Sequence, residues 1–164
     1  MSVHTCLLVA ALLLAPSLPA QEPGSGSCEP LLTASTDRPA WPGIVVDVPT
    51  GDTLIVQLRD LGRHSIRLAG LCAPKGAEPL AVVSRFNLTR LARGLRVFVV
   101  LDSPGRPWPE TVTALVEDFT QAQLAAGMGQ YVPEEEHLLG AYVACLCGQA
   151  EEQARRGKRG IWAP

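Results

Sequence analysis

The chain has no excess of positive charge. Its 14 Lys and Arg are outnumbered by 16 Asp and Glu, for a formal net charge of −2 at pH 7. That excludes a protein that grips nucleic acid through its whole surface and confines any affinity for polyanions to a local site. A run long enough to cross a bilayer is also missing. The apolar stretch at residues 7–15 is cut by Pro16, well short of the ~20 residues a spanning helix needs. No Cys or His residues are paired at the spacing of a structural zinc site, and no internal repeat is visible. Residues 1–20 carry no Asp, Glu, Lys or Arg, only His4 and the terminal amine.

Residues 1–20 nevertheless have the layout of a secretory signal peptide. An apolar core is followed by helix-breaking Pro16, and small Ala20 closes Leu18-Pro19-Ala20. A polar, Gly/Pro-rich stretch follows at once, so residues 21–42 read as a linker and residues 43–164 as one domain. Removal of the leader would leave 164 − 20 = 144 residues, enough for a single core, in a secreted or periplasmic protein. The residues before Cys28 lack the apolar position of a lipid-anchor signal. Cys28, Cys72, Cys145 and Cys147 would remain in an oxidising compartment, where bridges form. Four cysteines allow three pairings. Cys145 and Cys147, two apart on a helix, face roughly opposite sides and suit each other poorly.

The patterning places strands first and helices later. Strands are expected at 44–48, 54–58, 65–69, 95–101 and 111–116, with turns at 49–52, 61–64 and 102–109. Helices are expected at 80–91, closed by Gly94, and at 119–126, closed by Gly127. A last helix should start at Pro133 with Glu134, Glu135 and Glu136 in its first turn and run to Arg156. The basic run Arg155 to Arg159 is then that helix's last turn, where cations suit the dipole. The fold class is α+β: a five-stranded oligonucleotide-binding (OB) Greek-key barrel with an inserted helix and C-terminal helices.

An ordered set of short motifs sits on this frame. They are Gly51-Asp52-Thr53-Leu54, Ile66-Arg67-Leu68-Ala69-Gly70, Ala73-Pro74, Gly105-Arg106, Gln123-Leu124-Ala125-Ala126-Gly127, and Glu152-Gln153-Ala154-Arg155 with Gly160-Ile161-Trp162. In order and spacing, over about residues 43–162, the chain resembles the staphylococcal-nuclease-like (thermonuclease) family. That resemblance implies calcium-dependent hydrolysis of DNA or RNA phosphodiesters, with Asp52 as a metal ligand and Arg67 and Arg106 on the phosphate. It also exposes two departures. The family usually follows Arg-Leu-x-Gly with Ile-Asp-x-Pro-Glu, a second metal ligand and a general base; here Cys72 and Lys75 stand at those positions.

The substitutions bear directly on the chemistry. Calcium takes six to eight oxygen ligands, mostly carboxylate, and a thiol suits a hard cation badly. An ordinary lysine amine holds its proton at neutral pH and is no general base. The family set of two aspartates, one glutamate and two arginines sums to −1, whereas Asp52, Lys75, Arg67 and Arg106 sum to +2. A pocket of that sign repels a divalent cation and attracts phosphate. The expectation is a nuclease-like domain that binds DNA, RNA or another phosphorylated ligand through Arg67, Arg106 and Lys75, with little or no hydrolysis and no cofactor. Calcium at Asp52 enters only under the alternative of an active endonuclease, and a second alternative is a protein-interaction module. Plainer readings stand beside these: Asp52 as a turn residue, Arg67 paired with a buried carboxylate, Cys72 in a bridge or the core, Lys75 as a solvated loop residue, and Glu78 as a first-turn acid of the helix at 80.

Overall fold

The structure, a computed structural model, describes residues 28, 38–101, 111–116 and 118–164. The leader at 1–20, most of the 21–42 linker, and Arg106 lie outside the described residues.

The elements run β1 (Ala40–Thr50), β2 (Thr53–Leu58), β3 (Gly62–Leu68), β4 (Leu71–Cys72), α1 (Ala81–Ala92), β5 (Arg96–Val100), β6 (Thr111–Val116), α2 (Phe119–Ala125), β7 (Gln130–Tyr131), a 3-10 turn (Pro133–Glu135), α3 (Glu136–Leu139), α4 (Ala141–Arg156) and a final 3-10 turn (Gly160–Trp162). Five strands close a barrel in the order β1-β2-β3-β6-β5, while β4 and β7 form a separate ribbon. All barrel pairs are antiparallel except β3 with β6. The α+β class with five strands in a closed barrel agrees with the sequence reading.

Period-2 patterning sets the strand faces. Leu54, Val56 and Leu58 of β2 point inward and are buried, while Thr53, Ile55 and Gln57 are half-covered. β1 is longer than its β-branched run suggested and begins at Ala40, inside the stretch read as linker. Its first half pairs with β5 (Ala40↔Val100 to Ile44↔Arg96) and it pairs with β2 from Gly43 to Thr50. Register shifts between Val45 and Asp47 and between Asp47 and Thr50 bend the strand, and such bulges let one strand serve two neighbours and close the barrel. Leu88 of α1 and Leu124 of α2 are wholly buried against the barrel interior.

The last helix differs from expectation. Instead of one element from Pro133 to Arg156 there is a break at Gly140, with φ 80° and ψ 150°. Two contacts account for it. Arg38 Nη1 donates to the Leu138 carbonyl at 2.6 Å, taking an acceptor that a continuous helix would use. Leu139 is drawn into the core against Gly70, where an added Cβ would lie 2.6 Å from Leu139 Cδ1. α4 then packs through the small residues Ala144, Cys147, Ala150 and Ala154. At its end Arg155 and Arg156 pair with Glu151 and Glu152, one turn back; the helix stops at Arg156, so Lys158 and Arg159 of the basic run lie beyond its last turn.

Cys28 and Cys145 form a disulfide with Cα atoms 5.8 Å apart, tying the segment before β1 to α4. Cys72 is therefore neither bridged nor in the core; it is free and exposed, whereas Cys147 is free and buried. Burial, with a smaller contribution from Asp118, pushes the Cys147 thiol up to about 11. Brief iodoacetamide treatment of the native protein should therefore alkylate Cys72 and spare Cys147, with both modified after denaturation; peptide mass spectrometry reads the difference.

Candidate functional site

The site forms where the β1–β2 turn meets the corner between β3 and β4. Gly51 opens the turn and tolerates no side chain, since an added Cβ would lie 1.9 Å from Ser84 Oγ of α1. The turn is fastened from below by buried polar groups. Gln123 Nε2 of α2 donates to the Gly51 carbonyl at 2.7 Å and to the Ser84 carbonyl at 3.1 Å. Ser84 Oγ donates to the Met128 carbonyl at 2.7 Å, and Asn87 Nδ2 donates to Gln123 Oε1. Thr120 Oγ1 holds the β3 end through the Ala69 carbonyl at 2.9 Å. Buried polar side chains survive in a core when they are mutually satisfied. Here they fix where Asp52 and Arg67 stand.

Asp52 has no exposed surface. Its Oδ1 accepts from Thr50 Oγ1 at 2.7 Å and Thr53 Oγ1 at 2.9 Å, and its Oδ2 from the Ala73 amide at 3.4 Å. Lys75 Nζ lies 3.1 Å from the same Oδ2. Burial alone would raise this carboxyl's pKa; hydrogen bonds from Thr50, Lys75 and Thr53, together with the Lys75 charge, overcome it and hold the pKa below the ordinary 3.8. The plain reading of Lys75 as a solvated lysine is thus half right: its side chain is 50 % exposed, yet its ammonium caps the aspartate.

Arg67 pairs with a carboxylate, as the plainer expectation for a strand arginine had it, but with a half-buried one. Its Nη2 pairs with Glu135 Oε1, and its Nη1 reaches the Leu71 carbonyl at 3.4 Å. The other Glu135 oxygen accepts from the Gly70 amide at 2.8 Å. Glu135, which the sequence presents only as a helix-start acid, is the corner's fourth charged residue. It lies 68 positions from Arg67, and no local pattern announces such a contact. The corner's charge changes accordingly. Asp52, Lys75, Arg67 and Glu135 sum to zero; counted with Arg106, which lies outside the described residues, Glu135 takes the expected +2 to +1.

Cys72 stands beside this cluster, lining a surface cavity of about 370 Å³ with Pro74, Glu78, Leu80 and Gln130. Glu78 falls in the turn before α1, not in its first helical turn. Calcium, the metal the family resemblance implies, does not fit these residues. The corner's buried carboxylate already accepts from three neutral donors and an ammonium, the second carboxylate is held by Arg67 and Gly70, and the second-ligand position is a thiol. Among the described residues no group of three or more His, Cys, Asp and Glu could hold a metal ion. The sequence matches no protein-family model, and no curated protein matches it.

Proposed function

We propose that this chain is an exported staphylococcal-nuclease-like domain on an OB Greek-key barrel that binds nucleic acid or another phosphate-containing ligand at the Asp52–Arg67 corner and hydrolyses it little or not at all. The parallel pairing of β3 with β6 in a closed five-strand order supports the topology. The observation that carries the functional reading is the ammonium of Lys75 set 3.1 Å from Asp52 Oδ2. An ammonium donates and cannot accept a proton from water, so the nearest charged neighbour of the buried carboxylate opposes both a divalent ion and base catalysis. Arg67 supplies the phosphate-binding group, with Arg106 its partner by resemblance.

One observation favours a second reading, a protein-interaction module without a small ligand: the Arg67 guanidinium is already matched by Glu135. Salt-dependent binding to short single strands that disappears in Arg67→Ala with Arg106→Ala supports the first reading, and the absence of any such binding by the parent protein supports the second. Plasmid cleavage is tested with calcium, magnesium, manganese and zinc in turn. Brisk cleavage that disappears in Arg67→Ala would establish the endonuclease alternative instead. The double change Cys72→Asp with Lys75→Glu turns the corner acidic. It should create calcium uptake measurable by calorimetry where the parent has none, because it adds two carboxylates and removes the competing ammonium.

A further inference from the structure

The described arginines fall into two sets. Most donate to a carboxylate, an amide or a backbone carbonyl. Arg59, Arg63, Arg93 and Arg96 have no ion pair and no side-chain hydrogen bond among the described residues. Arg63 and Arg96 stand on barrel strands, Arg59 in the turn after β2, and Arg93 at the end of α1. Arg63, Gln57, Ile44 and Arg96 stand in register across β3, β2, β1 and β5, on the outward side, since Val56, Leu58 and Val97 between them point inward. The next row pairs Pro42 with Phe98 and adds Arg59, whose amide donates to the Pro42 carbonyl at 3.4 Å. Arg93 closes α1 beside Gly94, whose amide donates to the carbonyl of Val45, the neighbour of Ile44.

Between these cations runs a groove of about 510 Å³ lined by Pro42, Ile44, Gln57, Arg59, Arg96 and Phe98, among others, with no acidic residue in its lining. Ile44 is 43 % and Phe98 58 % exposed. Ile44 and Thr50, the β1 residues at the groove and at the corner, are six residues apart on the strand, at most roughly 20 Å at about 3.3 Å per residue, and no residue of the corner lines the groove.

We propose that this sheet face is a binding track for single-stranded nucleic acid. Arg59, Arg96 and Arg63 meet the phosphates, and an unstacked base lies on the Phe98 ring. Charge complementarity selects the partner: in a chain of net charge −2, a local run of uncommitted guanidiniums over apolar surface serves a polyanion. Base stacking on aromatic and guanidinium planes is the mode by which such surfaces hold single strands. The concavity favours a thread over a flat bilayer. Arg63 lies four residues from Arg67 on β3, but Arg59, Arg96 and Phe98 belong to the groove alone, so variants at those three and variants at Arg67 fail separately.

The test is fluorescence anisotropy of the full chain with a labelled single strand of about 16 nucleotides, within the span of one such barrel, across a salt series. Arg59→Glu with Arg96→Glu should weaken binding at least tenfold and flatten the salt slope by about 1.4, at about 0.7 for each phosphate no longer neutralised. Phe98→Ala should cost about fivefold or more. Arg156→Glu, a charge change on α4 away from the face, is the control and should do far less. Equal weakening in the control overturns the proposal, because net charge alone would then explain it. So does unchanged affinity in the Arg59/Arg96 and Phe98 variants; if Arg67→Ala meanwhile abolishes binding, the corner reading stands without this one. Parent protein that binds vesicles of anionic lipid but no oligonucleotide overturns it in favour of a membrane. The melting temperature of the Arg59/Arg96 variant should match the parent, since neither side chain makes an ion pair or hydrogen bond among the described residues. A Phe98→Leu variant, which keeps apolar bulk but no aromatic face, should lose affinity like Phe98→Ala.

Discussion

Asp52→Asn is expected to destabilise the protein by about 2–3 kcal/mol at neutral pH, the range for orphaning buried donors around a missing charge. The carboxylate is wholly buried and accepts from the hydroxyls of Thr50 and Thr53, the Ala73 amide and Lys75. An amide of the same shape turns one of its two ends into a donor facing donors. Lys75 contributes the smaller share: its side chain is half exposed, so water compensates it, and its coupling to Asp52 in a double-mutant cycle should stay below about 1 kcal/mol. The pH dependence has a definite sign. The folded-state pKa of Asp52 lies below 3.8, so in acid the unfolded chain binds the proton more readily than the folded one. The stabilisation is complete above pH ~4 and is lost as pH falls through the folded-state pKa. Chemical denaturation at a series of pH values should show the gap between parent and Asp52→Asn closing in acid. Lys75→Met removes a hydrogen bond and a charge that lower that pKa, so its acid limb should move to higher pH. A gap that stays constant down to pH ~2 would mean that the carboxylate's charge is not what the turn depends on.

Much of this fold was legible because barrel strands announce themselves twice, by β-branched content and by period. The run at 111–116 coincides with β6 (Thr111–Val116), and Leu54, Val56 and Leu58 mark an inward face without help from context. Gly51, Gly94 and Gly127 closed elements where the residues suggested. What stayed hidden depended on contacts between distant segments. The two-residue strands β4 and β7 have no period of their own and exist only because Leu71 meets Tyr131. The break at Gly140 depends on Arg38, about a hundred residues away, competing for a helix carbonyl. β1 reached back to Ala40 because a closing barrel gives that segment a partner in β5.

The corner divides in the same way. Asp52, Arg67 and Lys75 were legible as a set because their motifs lie within one hairpin and the loop after it. Their partners were not. Gln123 entered only as part of a short motif, although its side chain bolts the turn to two helices, and Glu135 looked like any acid at a helix start. Counting charges along a motif left out one negative charge, which the fold brings to Arg67 from a turn after β7.

Glu135→Gln is therefore expected to raise the corner's affinity for a phosphorylated ligand by about ten- to a hundredfold, the equivalent of one charge-assisted hydrogen bond no longer contested at about 1.4 kcal/mol per decade. In the parent an entering phosphate must displace a carboxylate that already holds the Arg67 guanidinium with one oxygen and the Gly70 amide with the other. The glutamine keeps an oxygen for Gly70, so the segment stays fastened through Val132, whose amide donates to the Gly70 carbonyl at 3.0 Å, and through Leu139 on Gly70. Its amide nitrogen, however, faces Arg67 as a second donor and releases it. Calorimetric titration with inorganic phosphate and with a short 5′-phosphorylated oligonucleotide reads the gain. The gain should vanish when Arg67→Ala is added, because the freed group is then gone. Removing Arg67 alone should abolish phosphate binding and leave Glu135 with the Gly70 amide as its remaining partner. If Glu135→Gln gains nothing while remaining folded, Arg67 and Glu135 are a structural pair that locks the turn after β7 onto the barrel, and the corner is a joint instead of a binding site.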